Sequence, residues 1–95
     1  MAWFVYLIEC SDRSIYTGIA VDVEARFATH VAGKGARYTR THAPVRLLAA
    51  FEFADRSAAS TAEYYIKLLS PRGKRELCRS RKLPELALPK RDNGG

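Results

Sequence analysis

The apolar and polar positions change period several times along the chain, and each change marks an element. Trp3 to Cys10 is rich in aromatic and β-branched residues, with Glu9 its one charge, and it is too short for a confident helix. It predicts a buried strand. Ser11-Asp12-Arg13-Ser14 is a turn cluster, and Ile15 to Ile19 predicts a second strand, so the two make an antiparallel hairpin. Side chains alternate across a strand, which ties the hairpin loop to the placement of Tyr6 and Tyr16. They share a face if Cys10 lies opposite Tyr16, leaving five residues between; a four-residue connection puts them on opposite faces. A shared face therefore predicts an odd-length loop or a bulge.

Helical spacing takes over after Asp22, a good N-cap, with Glu24 in the first turn where a negative charge suits the helix dipole. Val23, Phe27 and Val31 form the expected buried stripe, Arg26 and His30 sit side by side at its border, and Gly33 ends the helix. Lys34 to His42 reads as a loop closed by Pro44. Val45 to Phe53 alternates, with Val45, Leu47, Ala49, Phe51 and Phe53 on one face and Arg46 and Glu52 on the other, predicting a half-exposed third strand. Asp55 or Ser57 starts a second helix with the stripe Ala58, Ala62, Tyr65, Ile66 and Leu69. Ser70-Pro71 starts a third that runs to about Arg79. Leu83 to Gly95, with two prolines and a polar end, reads as extended or frayed. The expectation is an α+β fold, a three-stranded antiparallel sheet with flanking helices in the order β-β-α-β-α-α. Residues 1–83 make one domain and 84–95 a C-terminal tail.

Composition narrows the partners. A chain of 95 residues with 47% hydrophobic content supports one core and argues against disorder. The net charge of +6 favours a polyanion, most often nucleic acid. Cys10 and Cys78 are lone thiols in apolar segments, as in a reduced cytoplasmic protein, and with His30 and His42 they make no zinc spacing. The apolar N-terminus has no basic flank and stops at Glu9, so it is neither a signal peptide nor a membrane span. No motif for a small-molecule cofactor is present.

Taken singly, the polar residues of interest have bland readings. Tyr6 and Tyr16 suit core aromatics with a hydroxyl at the surface, and Gly18 suits turn geometry or a close backbone approach. Arg26 and His30 suit a solvated helix edge, and Glu63 can pair with Lys67 at i+4. Together they form a pattern: Val5-Tyr6-Leu7, then Tyr16-Thr17-Gly18, with ten-residue steps from Tyr6 to Tyr16 and on to Arg26, followed by His30 and Glu63. This pattern resembles the GIY-YIG nuclease family over about residues 2–80, most closely its small single-domain, YhbQ-like group. Only the tyrosines and the final glycine of the two naming tripeptides are literal here. The family's three-stranded antiparallel sheet with helices agrees with the element order above.

Phosphodiester cleavage needs an activated water, charge stabilisation on the phosphate and help for the leaving oxygen. A free tyrosine, with a pKa of ~10, is a poor base at neutral pH without a neighbouring cation. The resemblance implies that Glu63 holds one divalent cation, Mg²⁺ or Mn²⁺, and that Tyr6 takes the proton from the attacking water. It implies that Tyr16 orients the phosphate or nucleophile, that Arg26 stabilises the transition state, and that His30 orients a tyrosine or relays a proton. Gly18 is implied as structural at the site.

The expected partner is DNA, gripped through its backbone, with RNA as a further candidate and no membrane. Lys34, Arg37, Tyr38 and Arg40 are the expected phosphate-tracking loop. Lys67, Arg72, Lys74 and Arg75 are expected to extend that footprint, beginning the basic stretch that runs on to Arg91. No base-reading module is present, so sequence specificity should be low and any preference set by nucleic-acid shape. Two departures from UvrC-like members stand out: Ile19 replaces a lysine after the second tripeptide, and the only asparagine is Asn93, in the tail. They motivate an alternative, a binding module for DNA or RNA that keeps the scaffold and turns over little.

Overall fold

The structure, a computed structural model, describes residues 1–83; the segment 84–95, expected above as a tail, lies outside the described residues. Strands β1 (Trp3–Cys10), β2 (Ile15–Ala20) and β3 (Pro44–Phe53) form an antiparallel sheet in the order β2-β1-β3. Helices α1 (Val23–Val31) and α2 (Arg37–Thr41) lie between β2 and β3, and α3 (Arg56–Lys67) and α4 (Pro71–Ser80) follow. The expected α+β architecture holds, with one addition. Residues 37–41, read as part of a loop, form the short helix α2, whose buried Thr39 anchors it to the core.

Local chemistry sets the boundaries. Asp22, Asp55 and Ser70 cap α1, α3 and α4 by accepting from the backbone N–H groups of Ala25, Ala58 and Gly73. The hairpin closes with three residues, because the Cys10 N–H donates to the Ser14 carbonyl and the Arg13 N–H donates to the Cys10 carbonyl. The loop is odd, as a shared tyrosine face requires, but Cys10 sits opposite Ser14 rather than Tyr16. Arg13 takes the left-handed conformation (φ 70°) that a three-residue turn needs.

The sheet is buried on both sides. Val5, Leu7 and Ile15 pack under Ala59, Ala62 and Ile66 of α3 and Leu77 of α4. On the other face Tyr6, Ile8, Cys10 and Ala20 pack with Tyr16 and with Val23 and Phe27 of α1. Val31, expected in that stripe, is the last residue of α1 and is exposed. The alternation of β3 also fails at its start. Register shifts beside Leu7 and Cys10 place Leu47 opposite Ile8, so the run Phe53, Phe51, Ala49 is buried while Leu47 and Val45 are exposed. A bulge reverses side-chain parity, which a strict period of two cannot anticipate.

Glu9 ties three segments together. Its carboxylate accepts from Arg46 of β3 at 2.9 Å and from Arg75 of α4 at 2.8 Å, and Arg75 also donates to the Arg13 carbonyl at 2.6 Å. These hydrogen bonds hold the Glu9 carboxyl below its ordinary pKa. A lowered carboxyl pKa contributes stability above the unfolded value, lost as pH falls through the folded one. Unfolding measured against pH should show wild type weakening from about pH 4 downward, with Glu9→Gln less stable near neutrality and flatter across that acid limb.

Candidate active site

The hairpin register builds the site. Tyr6 pairs with Gly18 and Ile8 with Tyr16, so both tyrosines rise from the face that α1 covers. The Tyr6 ring lies directly over Gly18: a Cβ there would sit 2.5 Å from the phenol oxygen and 2.7 Å from Cζ. Gly18 is thus required by close approach, not by a positive φ. From α1, His30 enters beneath the phenols. Ring centroids are 5.8 Å apart for Tyr6 and His30, 5.2 Å for Tyr16 and His30 and 6.2 Å for the two tyrosines.

A hydrogen-bond chain fixes the protons. The Thr39 hydroxyl donates to the Ala36 carbonyl at 3.0 Å, so its oxygen is free to accept from His30 Nδ1–H at 2.6 Å. His30 is thereby held in the Nδ1–H tautomer, which leaves Nε2 to accept from the Tyr6 hydroxyl at 2.9 Å. Gly35 completes the cradle, for any side chain there would overlap the His30 imidazole.

The charges agree with this assignment. Burial, then the neighbouring Tyr16 phenol, pushes the Tyr6 pKa far up, with Glu63 adding to the rise and Arg26 opposing it. Burial, then Arg26, pushes His30 down. Near neutral pH the proton therefore rests on Tyr6 and the imidazole is an uncharged acceptor.

The other expected residues are distributed around this cluster. Arg26 lies one turn before His30, exposed, its charge felt by both Tyr6 and His30. Glu63 belongs to α3, which packs on the opposite face of the sheet, and its carboxylate pairs with Lys67 at 3.3 Å while its charge still reaches Tyr6. Tyr38 stacks beside Tyr16 with centroids 5.9 Å apart, and His42 covers Tyr38 at 4.0 Å. Lys34, Arg37, Arg40 and Arg72 are exposed. Arg75 is engaged by Glu9 and the Arg13 carbonyl, a tie that holds α4 to the hairpin.

Thr39, Gly35 and His42 are absent from the sequence-based set. Gly35 and Thr39 sit in the Lys34–His42 stretch, but nothing in its spacing marks a threonine as the partner of a histidine nine residues earlier. Thr39→Val keeps the shape and removes the acceptor, leaving a buried N–H unsatisfied at a cost of about 1–3 kcal/mol. Nitrogen NMR of His30 should report loss of the single Nδ1–H tautomer. Any catalytic activity of the site should fall roughly 10-fold or more, the scale for losing a group that orients a working side chain. An unchanged tautomer would overturn this role for Thr39.

The GIY-YIG catalytic domain matches residues 2–76, and the chain belongs to that family. Within it, the chain is similar to UPF0213 proteins. One from Cupriavidus necator is 52% identical over 77 residues, covering 81% of this chain and 84% of that protein. Another, from Staphylococcus haemolyticus, is 46% identical, covering 82% and 95%. The solution NMR structure of the UPF0213 protein BH0048 from Bacillus halodurans matches with a TM-score of 0.55 and 41% identity, over 92% of this chain and 93% of that one. The resemblance and the fold expected from sequence are thus borne out, and the family is one of nucleases acting on nucleic acid. Among the described residues no helix is long and apolar enough to cross a membrane.

Proposed function

We propose that the protein is a divalent-metal-dependent endonuclease that hydrolyses DNA phosphodiester bonds with little sequence specificity. The observation that carries this reading is the buried Tyr6–His30 hydrogen bond, 2.9 Å long, beside Tyr16 and under the charge of Arg26. A phenol whose pKa is raised by burial cannot act as a base by ionising first. It acts by passing its proton on as it receives another. Tyr6 takes a proton from the attacking water while giving its own to His30 Nε2, which is neutral and already in acceptor geometry. Thr39 holds the imidazole for that transfer. Tyr16 orients the phosphate, and Arg26 donates two parallel hydrogen bonds to the phosphate oxygens as charge builds.

The donor chemistry suits one kind of ion. Among the described residues there is no cluster of three or more His, Cys, Asp or Glu, so a metal needing a protein cage does not fit. Glu63 supplies one partly exposed carboxylate, which fits a hard ion such as Mg²⁺ or Mn²⁺ that keeps its waters and shares the substrate's phosphate. Such an ion, when bound, supplies positive charge to the phosphate and leaving oxygen.

The test incubates purified protein with plain, nicked and branched DNA, in Mg²⁺ and in chelator. Cleavage should require the metal and fall on the order of 10²-fold or more in Glu63→Gln. Cleavage that survives chelation would sink the metal-dependent reading. One observation favours a second reading, a binding module with little turnover: the Glu63 carboxylate is engaged by Lys67. Salt-sensitive binding with no cleavage on any of the three substrates would establish it.

A further inference from the structure

Beside the tyrosine–histidine cluster, and sharing Tyr16 with it, lies a cavity of about 300 Å³. It opens along β2, the edge strand of the sheet, and is walled by Tyr16, Thr17, Tyr38, Lys67, Pro71 and Lys74. Its size is at the small end of ligand pockets, suited to one nucleotide and not to a longer segment. Tyr16 belongs both to this cavity and to the site, so the occupant lies next to the scissile phosphate.

Three features define the chemistry of the occupant. The first is aromatic. Tyr38 has one face covered by His42 at 4.0 Å and 7°, and the other turned toward Tyr16 in an offset pair, and the residue is 36% exposed. A ring pinned on one side and partly open on the other is a stacking platform for a base. The second is cationic. Lys67 and Lys74 both line the cavity, and among the described residues the one carboxylate paired with them is Glu63, on Lys67. Burial and the charge of Lys67 push the Lys74 pKa down, so two ammonium groups share a site that an anion would relieve. The third is polar. Thr17 is 2% exposed, and its hydroxyl is the only buried side-chain polar atom without a hydrogen-bond partner among the described residues. Buried hydroxyls are normally satisfied, and this one lies in the wall of the cavity on the α3 face of β2, opposite Leu7, where it leaves the β2 edge short of a hydrogen bond.

We propose that this pocket receives one unpaired nucleotide adjoining the bond to be cut, its base against Tyr38 and Tyr16 and its phosphate on Lys67 and Lys74. This rests on the nuclease reading and adds to it a substrate class: strands with an unpaired residue at the cut, such as single strands, flaps and gaps. A fully paired duplex would have to extrude a base to fill the pocket, which disfavours it.

The experiment measures binding in chelator, where nothing is cut, by the full chain to a 2-aminopurine-labelled single strand, the same strand with one abasic residue moved stepwise, and a blunt duplex. The single strand should bind tighter than the duplex and its 2-aminopurine should be quenched. An abasic residue at one position should weaken binding on the order of 10-fold. Tyr38→Ala should remove that positional effect. Lys74→Ala, which leaves the aromatic platform in place, should lower the salt slope by about one. Equal binding for every abasic position together with undiminished duplex binding would overturn the pocket. The nuclease reading fails differently: binding with this positional signature but no Mg²⁺-dependent cleavage removes catalysis and leaves the pocket standing.

Discussion

Tyr6→Phe should lower DNA cleavage by on the order of 10²-fold or more while the protein stays folded. The substitution keeps the buried ring and removes only the oxygen that would take the proton from water. Its structural cost is a buried His30 Nε2 without its donor, about 1–3 kcal/mol, well short of the 5–15 kcal/mol that holds an ordinary domain together. Thermal unfolding should therefore report a modest loss and single-turnover cleavage a large one. His30→Ala should cost as much, and the double variant little more, because a relay fails as a unit. Wild-type cleavage by Tyr6→Phe would remove Tyr6 from the reaction. Losses that multiply in the double variant would show that the two residues act separately.

Gly18→Ala should damage both folding and cleavage. The new methyl would lie 2.5 Å from the Tyr6 oxygen, and that oxygen has no room to retreat because His30 holds it at 2.9 Å. Either the hairpin shifts or the phenol leaves its acceptor. Overpacking of this kind costs typically ~1–3 kcal/mol, and loss of the Tyr6–His30 bond should carry cleavage down on the order of 10²-fold. The two substitutions should also couple. In a Tyr6→Phe background the nearest clashing atom is gone, so Gly18→Ala should cost measurably less than it does alone. Equal costs in the two backgrounds, measured by denaturant unfolding, would mean that the phenol oxygen is not what demands a glycine.

Much of the molecule is legible in the residue string, and the exceptions have physical causes. Asp22, Asp55 and Ser70 announce their helices because capping is a local interaction between a side chain and the next turn. The hairpin is equally local, and the parity argument correctly demands an odd loop. What fails is what depends on distant atoms. Leu47 and Val45 break alternation because β3 bulges against β1, a property of the pairing and not of β3 alone. Helix α2 escapes notice because it has five residues and no side-chain cap, and is held by Thr39 reaching His30. Arg75, expected on nucleic acid, is engaged by a carboxylate 66 residues earlier.

The candidate site divides along the same line. The family pattern names Tyr6, Tyr16, Arg26, His30 and Glu63; hairpin register and helical spacing bring Tyr6 and Tyr16 to the face that carries α1 with Arg26 and His30, while Glu63 lies on α3 across the sheet. The roles of Tyr6 and His30 do not follow, because a tautomer and a pKa are set by atoms that meet only on folding. Thr39 determines which imidazole nitrogen is free, burial determines where the proton rests, and the charge of Glu63, on α3 across the sheet, still raises the Tyr6 pKa. Covalent order supplied the ingredients and their local geometry; burial and long-range contact assigned each one its chemical state.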